Sequence, residues 1–432
     1  MLRRTLTTWV LASALGYAHV ACADDLAAIV QQALDYDAEL AQARASYEAA
    51  KLSVPIACAT LLPQITGGWG RAYNRIDMDG FPRQDYWQSG WMVNVSQPLF
   101  DWSKWTAYRQ ADFVVAQGAV DFAGARQTAI LRAVRAYFDE LAAEDEVKRS
   151  EEYSKAIDFQ RDQVRRKRAA GEATLIDEQE MATAREQAQL QLMDAQQDLG
   201  IKRRAVQQVT GRAFSTLAAL PSGMALPGLA EGEEVWAEQA RTRSYGAQSK
   251  QLGWEIARLD STKARSAGYP VVSVTGSYSR PTTTTIGMLQ VQIPLFSGGE
   301  IQARVRQSLA LEDKAEQGFV AASVQAEASA RDNYARYVRE RIKTDSLSHL
   351  VATAGDALRA TEIGYKVGSR ASTDVVRAIN TLLYTAKRDL LRSHYGAIVA
   401  FLQLKADVAT LSTADIESMS AMLCCAAGAA PR

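Results

Sequence analysis

The side chains able to do chemistry in this 432-residue sequence are almost all carboxylates, ammonium groups and guanidinium groups. Lys and Arg together number 49 and so do Asp and Glu, against 3 His and 4 Cys. So few imidazoles and thiols leave little material for a zinc site or a disulfide framework. Beyond the first segment only His349 and His394 remain, both in helix-patterned stretches. The chain carries no His-Glu-x-x-His, no Gly-x-x-x-x-Gly-Lys-Ser/Thr and no Gly-x-Ser-x-Gly. No cofactor or metal is expected, and a carboxylate-only hydrolase is the enzyme class left open. Two aspartates hold matching places. Asp177 stands six residues after Gly171, and Asp374 six residues after Gly368. An aspartate just past a glycine has an elementary role, capping the first turn of the helix that follows. A nucleic-acid partner is disfavoured, because a net charge of zero offers no basic excess to neutralise phosphates.

A feature that occurs twice needs elements that occur twice. Leu62-Pro63 opens a strand-like segment, and a second ends in Gln97-Pro98-Leu99-Phe100. Tyr269-Pro270 opens another, whose partner ends in Ile293-Pro294-Leu295-Phe296. Pro98 and Pro294 are 196 residues apart, Asp177 and Asp374 197. Two unrelated landmarks displaced by nearly one offset argue for tandem duplication. The 10 prolines leave two gaps, Pro98 to Pro221 and Pro294 to Pro431. Proline costs about 3 kcal/mol inside a helix, so such gaps predict very long helices. An uninterrupted helix from Ser103 to Arg168 would run roughly 100 Å at about 1.5 Å per residue. Gly118 and Gly124 weaken that prediction locally. Ile130, Val134, Tyr137, Phe138 and Leu141, and again Tyr334, Val338 and Ile342, form narrow stripes that predict coiled-coil seams with a wet opposite face.

The strands alternate. Trp87, Trp91, Val93 and Val95 oppose Gln88, Asn94 and Ser96; Val272, Val274 and Tyr278 oppose Ser273, Thr275, Ser277 and Ser279; Leu289, Val291 and Ile293 oppose Gln290 and Gln292. An ordinary sheet with one wet face would read the same way. Aromatics at the strand ends, Trp69, Tyr73, Tyr86, Trp87, Trp91, Trp102 and Trp105, favour the interfacial girdles of a membrane barrel. Four strands cannot close a barrel, so closure needs several chains, and three would supply twelve strands.

Residues 1–23 read as an export signal, with Arg3 and Arg4, an apolar middle from Trp9 to Leu15 and a small-x-small site at Ala21-Cys22-Ala23. A rival reading makes Cys22 a lipidated first residue, although His19 sits where that signal prefers an aliphatic side chain. No other stretch reaches the 18 apolar residues of a membrane helix, which does not exclude a barrel. The expected layout is a first repeat over 24–220, with strands about 64–74 and 86–98 and helices about 102–170 and 174–211. A linker at 221–230 precedes a second repeat over 231–417, with strands about 270–280 and 286–296 and helices about 300–367 and 371–411. Residues 418–432 read as a poorly ordered tail, and Cys58, Cys424 and Cys425 are given no role.

Five stretches resemble the TolC family of outer-membrane exit ducts. They are Leu61-Leu62-Pro63-Gln64, Gln97 to Trp105, Gln208-Val209-Thr210-Gly211, Pro294 to Gly299, and Gly364-Tyr365-Lys366-Val367-Gly368-Ser369-Arg370. The likeness covers about residues 25 to 415. It implies a mostly α chain with a transmembrane part: a homotrimer whose twelve-stranded barrel continues into a tunnel of twelve coiled-coil helices in the periplasm of a Gram-negative cell. It further implies an inner-membrane transporter and a periplasmic adaptor as partners, and export of proteins or of small toxic compounds. By the same resemblance, Tyr365 and Arg370 on the second helix pair and Asp177 on the first latch the periplasmic end. Asp374 matches a position where three carboxylates ring the constriction and attract cations. Arg377 stands where the type member has a second acid, so cation selectivity is expected to be weaker. A latch arginine of the family aligns with Ser393. Trp69, Trp87 and Trp91 are assigned to the membrane interface, with outer-membrane lipid as their partner. The competing reading is a soluble periplasmic coiled-coil adaptor, which would share the long helices without needing the aromatic-edged strands.

Overall fold

The computed structural model describes residues 25–77, 80, 82–214, 217, 226–229, 231–280, 284–370 and 372–427. The export signal and Cys22 lie outside the described residues, as do parts of the expected linker. Three short helices, α1 (Leu26–Tyr36), α2 (Ala38–Lys51) and α3 (Ser53–Ala59), lead into β1 (Gln64–Ile76) and β2 (Gln84–Phe100). Then come α4 (Trp102–Ala169) and α5 (Leu175–Thr210). The second half follows the same order: α6 (Glu233–Arg243), α7 (Tyr245–Ser266), β3 (Val271–Ser279), β4 (Thr284–Gln292) and α8 (Glu300–Lys366). It then departs from one continuous helix. A short α9 (Ser372–Arg377) passes into a π-helical segment, Ala378–Tyr384, before α10 (Thr385–Asp407), and α11 (Thr413–Ala427) ends the described chain.

The helices α4 and α8 have 68 and 67 residues, about 100 Å each at 1.5 Å per residue. α4 passes straight through Gly118 and Gly124. Gly118 serves a close crossing, because a Cβ there would stand 2.9 Å from Ala50 Cβ on α2. The helices lie side by side in the order α5–α4–α10–α8.

A single antiparallel sheet runs β1-β2-β3-β4. Its register places Trp69 opposite Trp91, Tyr73 opposite Trp87, Val93 opposite Tyr278 and Val274 opposite Leu289. One face therefore carries Ile65, Trp69, Trp91, Val93, Val95, Val274, Leu289 and Val291, and the other Thr66, Asn94, Ser96, Ser277 and Gln290. Both outer strands, β1 and β4, keep an unpaired edge. β4 stops at Gln292, short of the expected 296, whereas β2 continues to Phe100 through a register shift between Pro98 and Phe100. Beyond the pair Val271–Gln292, Pro270 and Pro294 stand nearly opposite each other. Neither has an N–H to donate, so the ladder ends there and Leu295 and Phe296 are left 92% and 91% exposed.

The main core lies midway along the helices. Leu26, Ile29 and Val30 of α1 pack with Ile130, Val134, Tyr137, Phe138 and Leu141 of α4, Ile398 and Leu402 of α10, and Ile416 and Met419 of α11. The first predicted stripe is thus the wall of a globular belt rather than a narrow seam, and Ala129, Leu131 and Ala133 beside it are buried too. The second stripe is displaced. Buried on α8 are Ala330, Asn333, Tyr337 and Thr344, while Ile342 is 61% exposed. Polar partners explain the shift: Asn333 donates to Asp407 at 2.6 Å, and the Tyr337 hydroxyl donates to the Pro227 carbonyl. The expected tail over 418–432 is corrected for its described part, which continues α11 to Ala427, while 428–432 lie outside the described residues. Ser412 and Asp415 cap α11 reciprocally, Asp415 accepting the Ser412 N–H at 2.9 Å and Ser412 Oγ accepting that of Asp415 at 3.3 Å. Ile416 and Met419 are buried against α1, and the Ala27 N–H meets Ser420 Oγ at 3.4 Å.

Candidate gate at the helix-pair tips

Each long helix ends in the same turn. After α4, Gly171 adopts φ 78°; its N–H bonds the Arg168 carbonyl at 2.9 Å, and the Glu172 N–H bonds that of Lys167 at 2.8 Å. After α8, Gly368 also has φ 78°; its N–H reaches the Tyr365 carbonyl at 3.2 Å, and the Ser369 N–H that of Gly364 at 2.9 Å. Both are Schellman turns, which satisfy the last helical carbonyls through a left-handed residue that glycine adopts without a Cβ clash. The duplication is therefore preserved bond by bond at the tips.

Beyond the glycines the halves diverge. In the first, Thr174 is the N-cap of α5, and Asp177 is the third helical residue of a capping box rather than the cap itself. Asp177 Oδ2 accepts the Thr174 N–H at 2.9 Å and its hydroxyl at 2.7 Å, and Thr174 Oγ1 accepts the Asp177 N–H at 3.2 Å. The Thr174 hydroxyl, then its backbone N–H, holds the Asp177 carboxyl below the ordinary carboxylate range. In the second half, Arg370 Nη1 lies 3.9 Å from Asp374 Oδ2, one turn along the same chain. Arg370 is exposed and Asp374 half-buried, and a pair so open to solvent contributes about 0–1 kcal/mol. Asp177 and Arg370 form no ion pair with each other inside the protomer.

Tyr365 is only 8% exposed. It packs with Tyr153, Ile157, Ala184, Ala188, Val375 and Ile379, so a second-half residue is seated against the first helix pair. Lys167 Nζ sits 4.0 Å from its ring centroid, a cation–π contact worth about 0.5–1 kcal/mol at an exposed edge. Gly364 makes the notch in which Arg370 lies, since a Cβ there would stand 2.8 Å from Arg370 Cγ. Arg377 is exposed in the last turn of α9, next to the π-helical segment. Ser393 is 1% exposed and faces inward, its hydroxyl meeting the Glu340 carbonyl at 3.0 Å, the Glu340 carboxylate at 2.9 Å and Thr344 Oγ1 at 3.2 Å. It belongs to the α8–α10 seam.

The structure thus brings Tyr365, Arg370 and Asp374 to one tip and Asp177 to its counterpart. Sequence reasoning missed three participants. Lys167 belongs to the basic run Arg165-Arg166-Lys167-Arg168, which suits the negative end of the helix dipole. Gly364 was visible as the first residue of its motif. The π-helical segment left no periodic signal. At the far end, Trp69, Trp87 and Trp91 are 59%, 61% and 68% exposed on the apolar face of the sheet.

A half-wet four-stranded sheet with open edges, set on helix pairs about 100 Å long, defines one subunit of a barrel-and-tunnel channel. The chain belongs to the outer membrane efflux protein family, whose model matches residues 29–212 and 236–407. It is 28% identical over 425 residues to the outer membrane protein TolC of Vibrio cholerae, covering 93% of this chain and 94% of that protein. It is 23% identical over 411 residues to the proteases secretion protein PrtF of Dickeya chrysanthemi, covering 90% and 89%. Its fold matches the crystal structure of the outer membrane protein VceC from Vibrio cholerae with a TM-score of 0.78 at 16% identity, covering 89% of this chain and 96% of the other. The protein is an outer-membrane exit duct, and the soluble adaptor reading is overturned by the family match.

Proposed function

We propose that three copies of this chain assemble into a passive duct whose periplasmic mouth is held shut at the helix tips. The supporting observation is the apolar surface left bare on both flanking helices. On α5, Ile176, Leu190, Met193 and Ile201 are 47–69% exposed; on α8, Val320, Val324, Ile342 and Ile363 are 48–62% exposed. These flanks face away from the shared core, as do the unpaired edges of β1 and β4. A second copy covers both at once, pairing strand edges above and burying apolar stripes below. Three copies make twelve strands and twelve tunnel helices.

In this duct Tyr365, Arg370 and Asp177 latch neighbouring pairs, Asp374 and Arg377 set the field at the constriction, and Trp69, Trp87 and Trp91 lie at the lipid interface. A periplasmic adaptor and an inner-membrane transporter open the latch and choose the cargo, a secreted protein or small toxic compounds. The test is to extract the protein from outer membranes and measure its mass and single-channel conductance. Heat-labile trimers with a small resting conductance support the reading; a monomer, or a fully open pore at rest, overturns it.

A further inference from the structure

The apolar face of the sheet does not end in aromatics alone. Among the residues that follow the tryptophans toward the hairpin turns, Arg71 and Arg75 share the parity of Trp69 and Tyr73 on β1, and Arg83 that of Trp87 on β2. Arg280 follows β3 directly opposite Trp91, its N–H bonding the Trp91 carbonyl at 2.8 Å. Four guanidinium groups therefore edge the lipid-facing side at the end away from the helices. Arg71 Cζ lies 4.6 Å from the Trp87 ring centroid, and Arg75 lies 5.9 Å from that of Tyr73. Asp85 takes Arg75 at 3.0 Å and Arg83 at 3.4 Å, at the rim. Arg71 and Arg280, nearer the apolar band, are exposed, and neither has an ion pair among the described residues.

Depth fixes what these two meet. From Trp91 to Phe100 the strand covers about 30 Å, or about 23 Å along the normal at a tilt of about 40°, close to the apolar height of an outer-membrane barrel. With Phe100, Trp102 and Trp105 at one boundary and Trp69 and Trp91 at the other, Arg280 stands level with the second boundary and Arg71 one outward-facing position beyond it, both within reach of the headgroups. Because the helices occupy the periplasm, those headgroups belong to the outer leaflet. Strand spacing and rise put Arg71 and Arg280 about 12 Å apart.

We infer that this rim binds the phosphorylated headgroup of an outer-leaflet glycolipid, with Arg71 and Arg280 each taking a phosphate and the Trp87 indole backing Arg71. Arginine suits the task because its planar fork meets phosphate oxygens in pairs, and an aromatic face behind it limits the freedom lost on binding. Two separated guanidinium groups fit a headgroup phosphorylated at both ends better than a single phosphate. The inference rests on the outer-membrane placement and is independent of the latch.

The test is native mass spectrometry of the full-length protein in neutral detergent, offered diphosphorylated lipid A and its dephosphorylated form in equal amounts. The phosphorylated lipid is expected to be retained about tenfold better, and R71Q/R280Q to abolish that preference. Equal retention of the two lipids by the unaltered protein overturns the site without recourse to any variant. So does an undiminished preference in R71Q/R280Q. Displacement by millimolar inorganic phosphate, but not by chloride of the same ionic strength, reassigns the site to a free anion and overturns the lipid assignment. Single-channel conductance of the same preparation reports separately whether the duct itself is intact.

Discussion

The ammonium of Lys167 lies 4.0 Å from the centre of the Tyr365 ring, joining the last turn of α4 to the last turn of α8. The two residues end homologous helices, yet the contact is asymmetric: the first half supplies the cation and the second the aromatic ring. It ties the two helix pairs within one protomer, whereas the latch we propose joins neighbouring pairs.

Replacing Arg370 by Ser together with Tyr365 by Phe is expected to raise single-channel conductance several-fold in a planar bilayer. Gly364→Ala should imitate much of this effect while leaving Arg370 in place, because its Cβ would stand 2.8 Å from Arg370 Cγ and drive that side chain out of its notch. An unchanged conductance in both variants would sink the latch.

Arg377→Asp is expected to increase cation over anion permeability, because three positive charges near the constriction would become three negative ones. Reversal potentials across a salt gradient measure it. A potential that stays put would mean that Arg377 does not face the pore.

Thr174→Ala removes the cap of α5 and should cost the first tip about 1 kcal/mol. The readout is limited trypsin digestion, since the adjoining run Arg165 to Arg168 is cut once the turn opens. The same bonds set a pH dependence. Asp177 is held below its ordinary pKa, so its contribution is complete above the normal carboxylate range and lost as pH falls through the lowered value. Acid should therefore loosen this tip in the natural protein and act less in the variant.

Ile416→Ala should lower stability by about 2–4 kcal/mol, because Ile416 is 1% exposed within the main core. Thermal unfolding measures this. A loss below about 0.5 kcal/mol would show that α11 is not held as described.

Much of the fold is legible in the order of residues, for reasons that differ by element. Absence of proline over long spans announces α4 and α8, and strict alternation announces four strands, because both are local consequences of backbone geometry. The end of β4 depends on Pro270 meeting Pro294 across the sheet, a nonlocal event. The second stripe was misplaced because periodicity counts apolar side chains, whereas the α8 seam runs through Asn333, Tyr337 and Thr344, whose polar atoms find partners 49 to 110 residues away. The capping box Ser412-Thr413-Ala414-Asp415 was readable and would have announced α11. At the tips, Tyr365 and Arg370 could be picked out by resemblance. The role of Gly364 as the floor beneath Arg370 needed coordinates, since glycine in a helix says only that something approaches closely.

The clasp between α1 and α11 also orders events in time. Ala27 and Ser420 are 393 positions apart, yet they close one core. An exported chain crosses the inner membrane N-terminus first, so Leu26, Ile29 and Val30 reach the far side long before Ile416 and Met419 can cover them. The α4 residues of the same core can cover them earlier, but the side of α1 that Ile416 and Met419 close stays open until the last helix arrives.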